Sequence, residues 1–180
     1  MSFTLKTERL TIRPFTHLFL ADYYREFTEE ITKYQYPDSF PNLETANSVM
    51  SGFVSSMERG DMLELIILTQ DEEFLGSMEV FGIREETPEL GLWLKSAAHG
   101  MGYGYEALKG MLDELDATKK YKHYIYEADV RNVPSTRLVE KFQHEKGGRE
   151  DITTETGKKL MLQTYRIFSS PGSEAMHSGS

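Results

Sequence analysis

Three glycines alternate along a short segment of the chain, at Gly100, Gly102 and Gly104. The residues before them, 89–94 (ELGLWL), are mostly apolar and predict a buried strand. The residues after them, 105–118, carry apolar side chains on one face and predict a helix. Glycine allows positive φ and close backbone approach, and a helix that begins there adds unpaired N–H groups and the positive end of its dipole. The segment therefore predicts an anion site that suits a pyrophosphate.

Three classes of ligand site use a glycine-rich loop between a strand and a helix. A P-loop ends in Gly-Lys-Ser or Gly-Lys-Thr, whereas Gly104 is followed by Tyr105 and Glu106. A Rossmann dinucleotide site is favoured by Glu127 and Asp129 near the end of the next strand, but it needs the spacing G-x-G-x-x-G and further βαβ units. The third class is the pyrophosphate loop of acetyltransferases. From the loop alone, a glycine-rich turn without a ligand also stays open.

Four segments together indicate a protein family more specifically than residues 100–104 alone, which we call the glycine loop. In chain order they are residues 7–14 (TERLTIRP), 89–108 (ELGLWLKSAAHGMGYGYEAL), 129–142 (DVRNVPSTRLVEKF) and 145–147 (EKG). They resemble the GCN5-related N-acetyltransferase (GNAT) superfamily, and within it the branch that acetylates the amino-terminal alanine of ribosomal proteins. The resemblance covers most of residues 3–168, and its parts come in the family's order.

The resemblance implies an α/β fold, in which a mixed, mostly antiparallel sheet has helices on both faces. The sheet is expected to splay where residues 92–94 and 127–130 run parallel. One N-acetyltransferase domain is expected over residues 1–168, and the small polar residues of 169–180 predict a disordered tail. Periodicity and turn residues predict strands over 3–15, 63–69, 74–83, 89–94, 123–130 and 160–168, and helices over 17–27, 44–60, 105–118 and 133–144. Aromatic and proline residues predict a loop over 34–41, of which residues 34–40 are expected to receive the acceptor.

The resemblance also implies acetyl-CoA as co-substrate and assigns residues to it. The loop amides would hold the pyrophosphate. The preceding strand would bind the pantetheine arm and the thioester carbonyl, where backbone N–H groups can stabilise developing negative charge. His99 stands where the family usually has Arg or Gln, which implies weaker phosphate binding. The cofactor-binding residues implied are Trp93, Leu94, Lys95, Gly100, Met101, Gly102, Tyr103, Gly104, Tyr105 and Asn132, and no metal site is expected.

Direct transfer to an amine needs a base for the ammonium proton and an acid for the departing thiolate. Glu89 stands at a position that is often acidic in the superfamily and is the first candidate base, with Glu145 or a chain of water molecules as alternatives. Ser135 is the candidate acid, because Val139 stands where many relatives have a tyrosine acid. Asn132 and Ser135 match the N-x-x-S pattern of the family, but either side chain also suits a helix N-cap.

Composition restricts the partners and the location. The net charge of −9 argues against nucleic-acid binding, which needs a basic surface, and it suits either a cationic acceptor or solubility alone. Cysteine is absent, which removes disulfides and thiolate nucleophiles and is compatible with a reducing cytosol. No apolar run approaches the about 20 residues of a membrane helix, and the charged opening residues predict no signal peptide. We therefore expect a cytoplasmic monomer or homodimer.

The acceptor is expected to be a protein N-terminus, a polyamine or an amino sugar. Two other function classes stay open. One is a module that binds acetyl-CoA or CoA without turnover. The other is a nucleotide-dependent oxidoreductase or methyltransferase, which the spacing of the glycines disfavours.

Overall fold

One eight-stranded sheet organises the chain, and the computed structural model describes residues 3–118 and 120–169 of it. The strands are β1 (Leu5–Lys6), β2 (Leu10–Pro14), β3 (Met62–Thr69), β4 (Phe74–Phe81), β5 (Glu89–Leu94), β6 (Tyr124–Asp129), β7 (His144–Thr153) and β8 (Lys159–Ile167). The helices are α1 (Leu20–Glu26), α2 (Glu29–Thr32), α3 (Leu43–Glu58), α4 (Tyr103–Asp116) and α5 (Val133–Val139), with short 3-10 helices at His17–Phe19 and Ser96–Ala98. The strand order is β1-β2-β3-β4-β5-β6-β8-β7, and every neighbouring pair is antiparallel except β5 and β6.

Apolar clusters cover both faces of the sheet, as the predicted α/β architecture requires. On one face, α4 buries Leu108 and Met111 against the sheet, and truncating such a side chain to alanine typically costs about 2–5 kcal/mol. On the other face, α1 and α3 contribute Tyr23 and Met50 to a second cluster that includes Trp93. The mixed, mostly antiparallel sheet with helices on both faces is thereby confirmed.

The sheet splays between β5 and β6. These two strands pair only at Glu89 with Ile125 and at Leu90 with Tyr126. Beyond Leu90 the parallel ladder ends, although β5 continues to pair with β4 as far as Leu94. The predicted splay is confirmed, and it leaves one edge of β5 without a strand partner.

The predicted single strand over residues 3–15 is wrong, because this segment is a hairpin of β1 and β2. Thr7 makes the turn: its backbone N–H donates to the carbonyl of Leu10 at 3.0 Å, and its Oγ1 accepts from the Leu10 N–H at 3.2 Å. Polar residues at the turn and apolar residues in both arms look like one alternating strand when only the sequence is read. The turn matters because it lies against the glycine loop.

The predicted helix over residues 133–144 is wrong in its second half. Helix α5 ends at Val139, and β7 begins at His144. Residues 145–147 therefore lie in β7. This strand is exposed and mostly polar, so it carries no alternating apolar signal, and its ladder with β8 holds it in place.

The remaining strands and the longer helices lie within about two residues of their predicted bounds, and residues 34–41 form the predicted loop. Helix α2, which precedes this loop, was not predicted. Apart from Ser169, the predicted tail over 169–180 lies outside the described residues. Among the helices of residues 3–118 and 120–169, none is long and apolar enough to cross a membrane.

Candidate active site

A cleft of about 830 Å³ opens at the splay. The glycine loop bounds one end, the diverging strands and the start of α5 bound the middle, and the loop after α2 bounds the other end. Because splayed strands leave backbone groups without strand partners, the cleft offers free hydrogen-bonding groups between apolar walls. Of the predicted site residues, those that line it are Glu89, Trp93, Leu94, Gly100, Gly102, Gly104, Tyr105, Asn132 and Ser135; Lys95, Met101 and Tyr103 do not.

The glycine loop presents backbone N–H groups at its end of the cleft. Gly100 and Gly102 have φ of 77° and 79°, a conformation that costs other residue types about 1–3 kcal/mol. Gly102 is the N-cap of α4, and the N–H groups of residues 102–105 have no acceptor within the described part of the chain. Gly104 has no positive φ; a Cβ there would lie 3.4 Å from Cδ2 of Leu138 on the cleft wall. Such a loop is suited to bind a pyrophosphate.

Arg9, in the turn between β1 and β2, fixes the glycine loop. Its Nε lies 2.7 Å from Oε2 of Glu106 in α4, and its Nη1 donates to the carbonyl of Met101 at 2.9 Å. Its guanidinium also lies over the ring of Tyr103, 4.5 Å from the centroid. The sequence did not predict this role, since the contacts join segments almost 100 residues apart.

The side chain of His99 binds the strand before the loop. Its Nε2 donates to the carbonyl of Leu94 at 2.8 Å. The ring therefore closes the base of the glycine loop, which differs from the phosphate contact expected at this position.

The edge of β5 that faces the splay is formed by the backbone of Leu92 and Leu94. The N–H of Lys95 donates to the carbonyl of Leu75 on β4 at 2.8 Å. Because hydrogen-bonding directions alternate along an antiparallel strand, the backbone groups of Trp93 also point to β4, whereas those of Leu92 and Leu94 point to the splay. Trp93, Leu94 and Lys95 are the strand residues that were predicted to bind the pantetheine arm. Of these, only Leu94 has its backbone on the cleft side, and Leu92 was missed.

The side chain of Trp93 belongs to an aromatic cluster. Its Nε1 donates to the hydroxyl of Tyr23 at 3.3 Å, and its ring lies 5.0 Å from that of Phe27. Lys95 lies outside the cleft and forms an ion pair with Glu73 at 3.1 Å. These side chains hold β5 in position.

The first turn of α5 faces the cleft opposite β5. The side chain of Asn132 caps this helix, because its Oδ1 accepts from the N–H of Ser135 at 3.4 Å. Oγ of Ser135 lies 2.7 Å from the hydroxyl of Tyr126 on β6. Val139 is fully buried in the core and has no access to the cleft. Ser135 is therefore the hydroxyl of α5 that the structure places at the cleft beside the splay.

The two candidate bases lie in different places. Glu89 is partly buried on the cleft wall, and burial, followed by the nearby charge of Glu127, raises the pKa of its carboxyl. Glu145 lies on the exposed strand β7, where its carboxylate pairs with Arg166 at 3.1 Å, and it does not line the cleft. The geometry therefore disfavours Glu145.

Charges of opposite sign line the two ends of the cleft. Arg137, on α5, and Lys141, in the turn after α5, line the wall next to the glycine loop, and Lys141 Nζ lies 5.6 Å from the centroid of the Tyr105 ring. Glu30 and Glu79 line the other end. A cleft with this polarity suits an anionic group at the loop and a cationic group at the far end.

The loop after α2 is attached to the turn between β7 and β8. Nζ of Lys158, in that turn, forms an ion pair with Asp38 and donates to the carbonyls of Thr32 and Gln35. These contacts hold the loop over the far end of the cleft, where Gln35 and Tyr36 line the wall.

Asp129 does not act as a free carboxylate in the cleft. Its side chain is buried and accepts from Arg131 and from the N–H of Met161. Despite the burial, these hydrogen bonds lower the pKa of Asp129 to about 2. Within the described residues, no group of three or more His, Asp or Glu side chains is placed to hold a metal ion.

Comparison with known proteins gives a consistent result. The family described as acetyltransferase (GNAT) domain matches residues 9–143. An acetyltransferase of the GNAT family from Bacillus anthracis is 21% identical, with a TM-score of 0.76 over 92% of this chain and 98% of that one. RimL, a ribosomal L7/L12 alpha-N-protein acetyltransferase in complex with coenzyme A, is 13% identical, with a TM-score of 0.80 over 92% and 98%. A spermidine N-acetyltransferase from Vibrio cholerae, in complex with CoA and spermine, is 12% identical, with a TM-score of 0.75 over 90% and 97%. None of the curated proteins matches this sequence.

Proposed function

This chain belongs to the acetyltransferase (GNAT) domain family, and on that premise we propose that it transfers the acetyl group of acetyl-CoA to a primary amine by direct attack in a ternary complex. Acetyl-CoA is the co-substrate of this family. The cleft fits it, because unpaired amides at one end and a free strand edge in the middle match its pyrophosphate and its amide-containing arm.

The cofactor end of the cleft would bind acetyl-CoA mainly through the backbone. The N–H groups of residues 102–105 would hold the pyrophosphate, and the cationic side chains of Arg137 and Lys141 would offset its charge. The free edge of β5 at Leu92 and Leu94 would bind the pantetheine arm and polarise the thioester carbonyl. Arg9 would act as a positioning residue, since it fixes Met101 and Glu106 without lining the cleft.

The chemistry needs one proton acceptor and one proton donor from the protein. Glu89, directly or through one water, takes a proton from the incoming ammonium, and the freed lone pair forms the C–N bond as the C–S bond breaks. Ser135 donates its hydroxyl proton to the departing thiolate. The second proton released from nitrogen passes through solvent and restores the Ser135 hydroxyl, so that one acetylamine, one thiol and one released proton result.

One observation carries the proposal: the unpaired amides at the start of α4, the free edge of β5 and the carboxyl of Glu89 line a single cleft. The test is a screen of primary amines with acetyl-CoA that measures free thiol and the mass of the acetylated amine. Thiol release that requires both substrates is expected.

A CoA-binding module without turnover is the competing function, and calorimetry combined with the thiol assay separates the two. Acetyl-CoA at about 100 times its Kd should raise the free energy of unfolding by about 2.7 kcal/mol in either case. Stabilisation without thiol release from any amine would favour the binding module. Stabilisation by NADH or S-adenosylmethionine, with none by acetyl-CoA, would contradict the proposed co-substrate.

A further inference from the structure

Four glutamates form a row on the sheet face that carries α1 and α3. Glu64, Glu79, Glu89 and Glu127 come from the adjacent strands β3, β4, β5 and β6. Glu64 stands directly opposite Glu79, and each further step of the row joins diagonal neighbours. Across the antiparallel pairs β3–β4 and β4–β5, directly opposed Cβ atoms lie about 5 Å apart and diagonal ones about 7–8 Å. Glu127 follows the last β5–β6 pair by one residue, and its charge raises the pKa of Glu89. This carboxylate row therefore crosses the sheet in short steps, and all its members except Glu64 line the cleft.

The carboxylate row has no cationic partner within the described residues. Glu64 accepts from the hydroxyl of Ser77 at 2.8 Å, but its Oε2 is buried without any hydrogen-bond partner. Burial raises the pKa of Glu64 and of Glu79, and the charge of Glu79 raises that of Glu64 further. Since unpaired buried carboxylates are costly, this arrangement suits a ligand that brings its own positive charges.

Apolar and aromatic side chains face the same end of the cleft. Phe27, Ile31, Tyr36 and Phe81 line it, so a hydrocarbon chain could lie between them and the row. Gly91, on the neighbouring strand, has no side chain that could cover the Glu79 carboxyl. A Cβ at this position would lie 3.7 Å from Oε2 of Glu79. Aromatic rings also attract ammonium groups.

We infer that the acetyl acceptor is a linear aliphatic polyamine, whose ammonium groups lie along the carboxylate row while its methylene segments contact the apolar wall. The inference rests on the proposed function and names its substrate class. One terminal amine lies at Glu89, where the C–N bond forms, and the other ammonium groups pair with Glu79 and Glu127. Short methylene spacers match the steps of the row.

A peptide N-terminus or an amino sugar fits this end of the cleft less well. A peptide N-terminus brings one ammonium group and a neighbouring amide that needs hydrogen bonds, which would leave carboxylates of the row unpaired. An amino sugar has hydroxyl groups in place of the apolar segments that would contact Phe27 and Ile31. The number of positive charges on the acceptor, and not the length of its carbon chain, should therefore determine which acceptor is preferred.

A pair of matched acceptors tests this directly. Thiol release is measured with acetyl-CoA and either 1,4-diaminobutane or n-butylamine, which differ by one ammonium group, and with spermidine and an alanyl tripeptide. We expect kcat/KM to rise with each added ammonium group, by about tenfold or more per group at low salt, and the preference to shrink as salt screens the charges.

Variants of the row provide the second arm. Glu79→Gln and Glu127→Gln should each lower spermidine binding to the CoA-loaded protein, measured by calorimetry, by about tenfold. Glu114→Gln removes the same charge from the exposed face of α4, outside the cleft, and should leave spermidine binding unchanged. Equal kcat/KM values for diaminobutane and butylamine would overturn the inference, and so would a higher kcat/KM for the tripeptide than for spermidine. Either result would leave the proposed acetyl transfer intact. Spermidine binding that depends on the row without thiol release would instead overturn the proposed function.

Discussion

The hydroxyl of Tyr126 lies 2.7 Å from Oγ of Ser135, which joins the floor of the splay to the first turn of α5. Tyr126 is buried, and burial raises the pKa of its phenol. Its hydroxyl therefore stays protonated and can donate to Ser135 while the Ser135 proton points into the cleft. This pair supports the proposal that Ser135 is the acid.

Replacing Ser135 by alanine should lower kcat by about 10²–10⁴-fold, the usual contribution of a positioned acid, with little change in acetyl-CoA affinity. Tyr126→Phe should have a smaller effect in the same direction, because Ser135 keeps its hydroxyl. Thr136→Ala is the matched control, since the Thr136 hydroxyl bonds to the helix backbone at Val133 and lies outside the cleft lining. If kcat for Ser135→Ala stays within about threefold of wild type, the Ser135 hydroxyl only contacts Tyr126 and is not the acid.

The pH dependence of kcat/KM tests Glu89 as the base. Its carboxylate must be ionised to accept a proton, and burial raises its pKa, so activity should fall with decreasing pH at a higher pH than for an ordinary glutamate. Glu89→Gln should lower kcat by about 10²–10⁴-fold near neutral pH and regain rate at alkaline pH, where free amine is abundant. Glu145→Gln is the control. An unchanged pH profile in Glu89→Gln would assign proton removal to water.

The glycine loop makes a prediction that separates binding from stability. Gly102→Val introduces a side chain at φ 79°, so it should lower the free energy of unfolding by about 1–3 kcal/mol and weaken acetyl-CoA binding strongly in the folded fraction. Gly52→Ala, in α3 with open space around its Cβ position, should instead stabilise the fold by about 1 kcal/mol and leave binding unchanged. Calorimetry measures both quantities. Wild-type acetyl-CoA affinity in Gly102→Val would remove the loop from the binding site.

Stability should fall with rising pH because of Glu64 and Glu79. Burial raises their folded-state pKa, that of Glu79 to about 7, whereas an unfolded glutamate titrates near about 4.3. The folded state thus binds more protons, and the stabilisation present below pH of about 4 is lost as pH rises through about 7. Glu64→Gln should reduce the slope of the unfolding free energy against pH, measured by urea titrations between pH values of about 4 and about 7. A slope identical to wild type would show that the pair is not the source.

Local sequence patterns predicted the parts of the site that are local in the chain. The glycines, the strand ELGLWL and the amphipathic face of α4 are contiguous, and the structure places them as expected. Features that depend on register between distant segments were missed. Which backbone groups of β5 face the splay depends on its pairing with β4, and the contact of Arg9 with Met101 depends on the β1–β2 turn.

The carboxylate row illustrates the same limit. Glu64 and Glu79 lie on two predicted strands that are consecutive in the chain, but the sequence does not indicate that α1 and α3 cover the face that carries both side chains. Strand β7 was missed for a related reason, because its ladder with β8 holds it although its own residues are polar. Long-range pairing therefore determines the acceptor end of the cleft, whereas local pattern determines the cofactor end.

A single-turnover experiment tests direct acetyl transfer most directly. The protein, in excess over acetyl-CoA that carries a labelled acetyl group, is mixed with spermidine, quenched at intervals and separated into protein, amine and CoA fractions. We predict that the label moves from acetyl-CoA to the amine in equal amount to the thiol released, that none appears on the protein, and that without spermidine it stays in acetyl-CoA. Label that stays in acetyl-CoA with every primary amine, or that accumulates on the protein before the amine, would contradict direct transfer in a ternary complex.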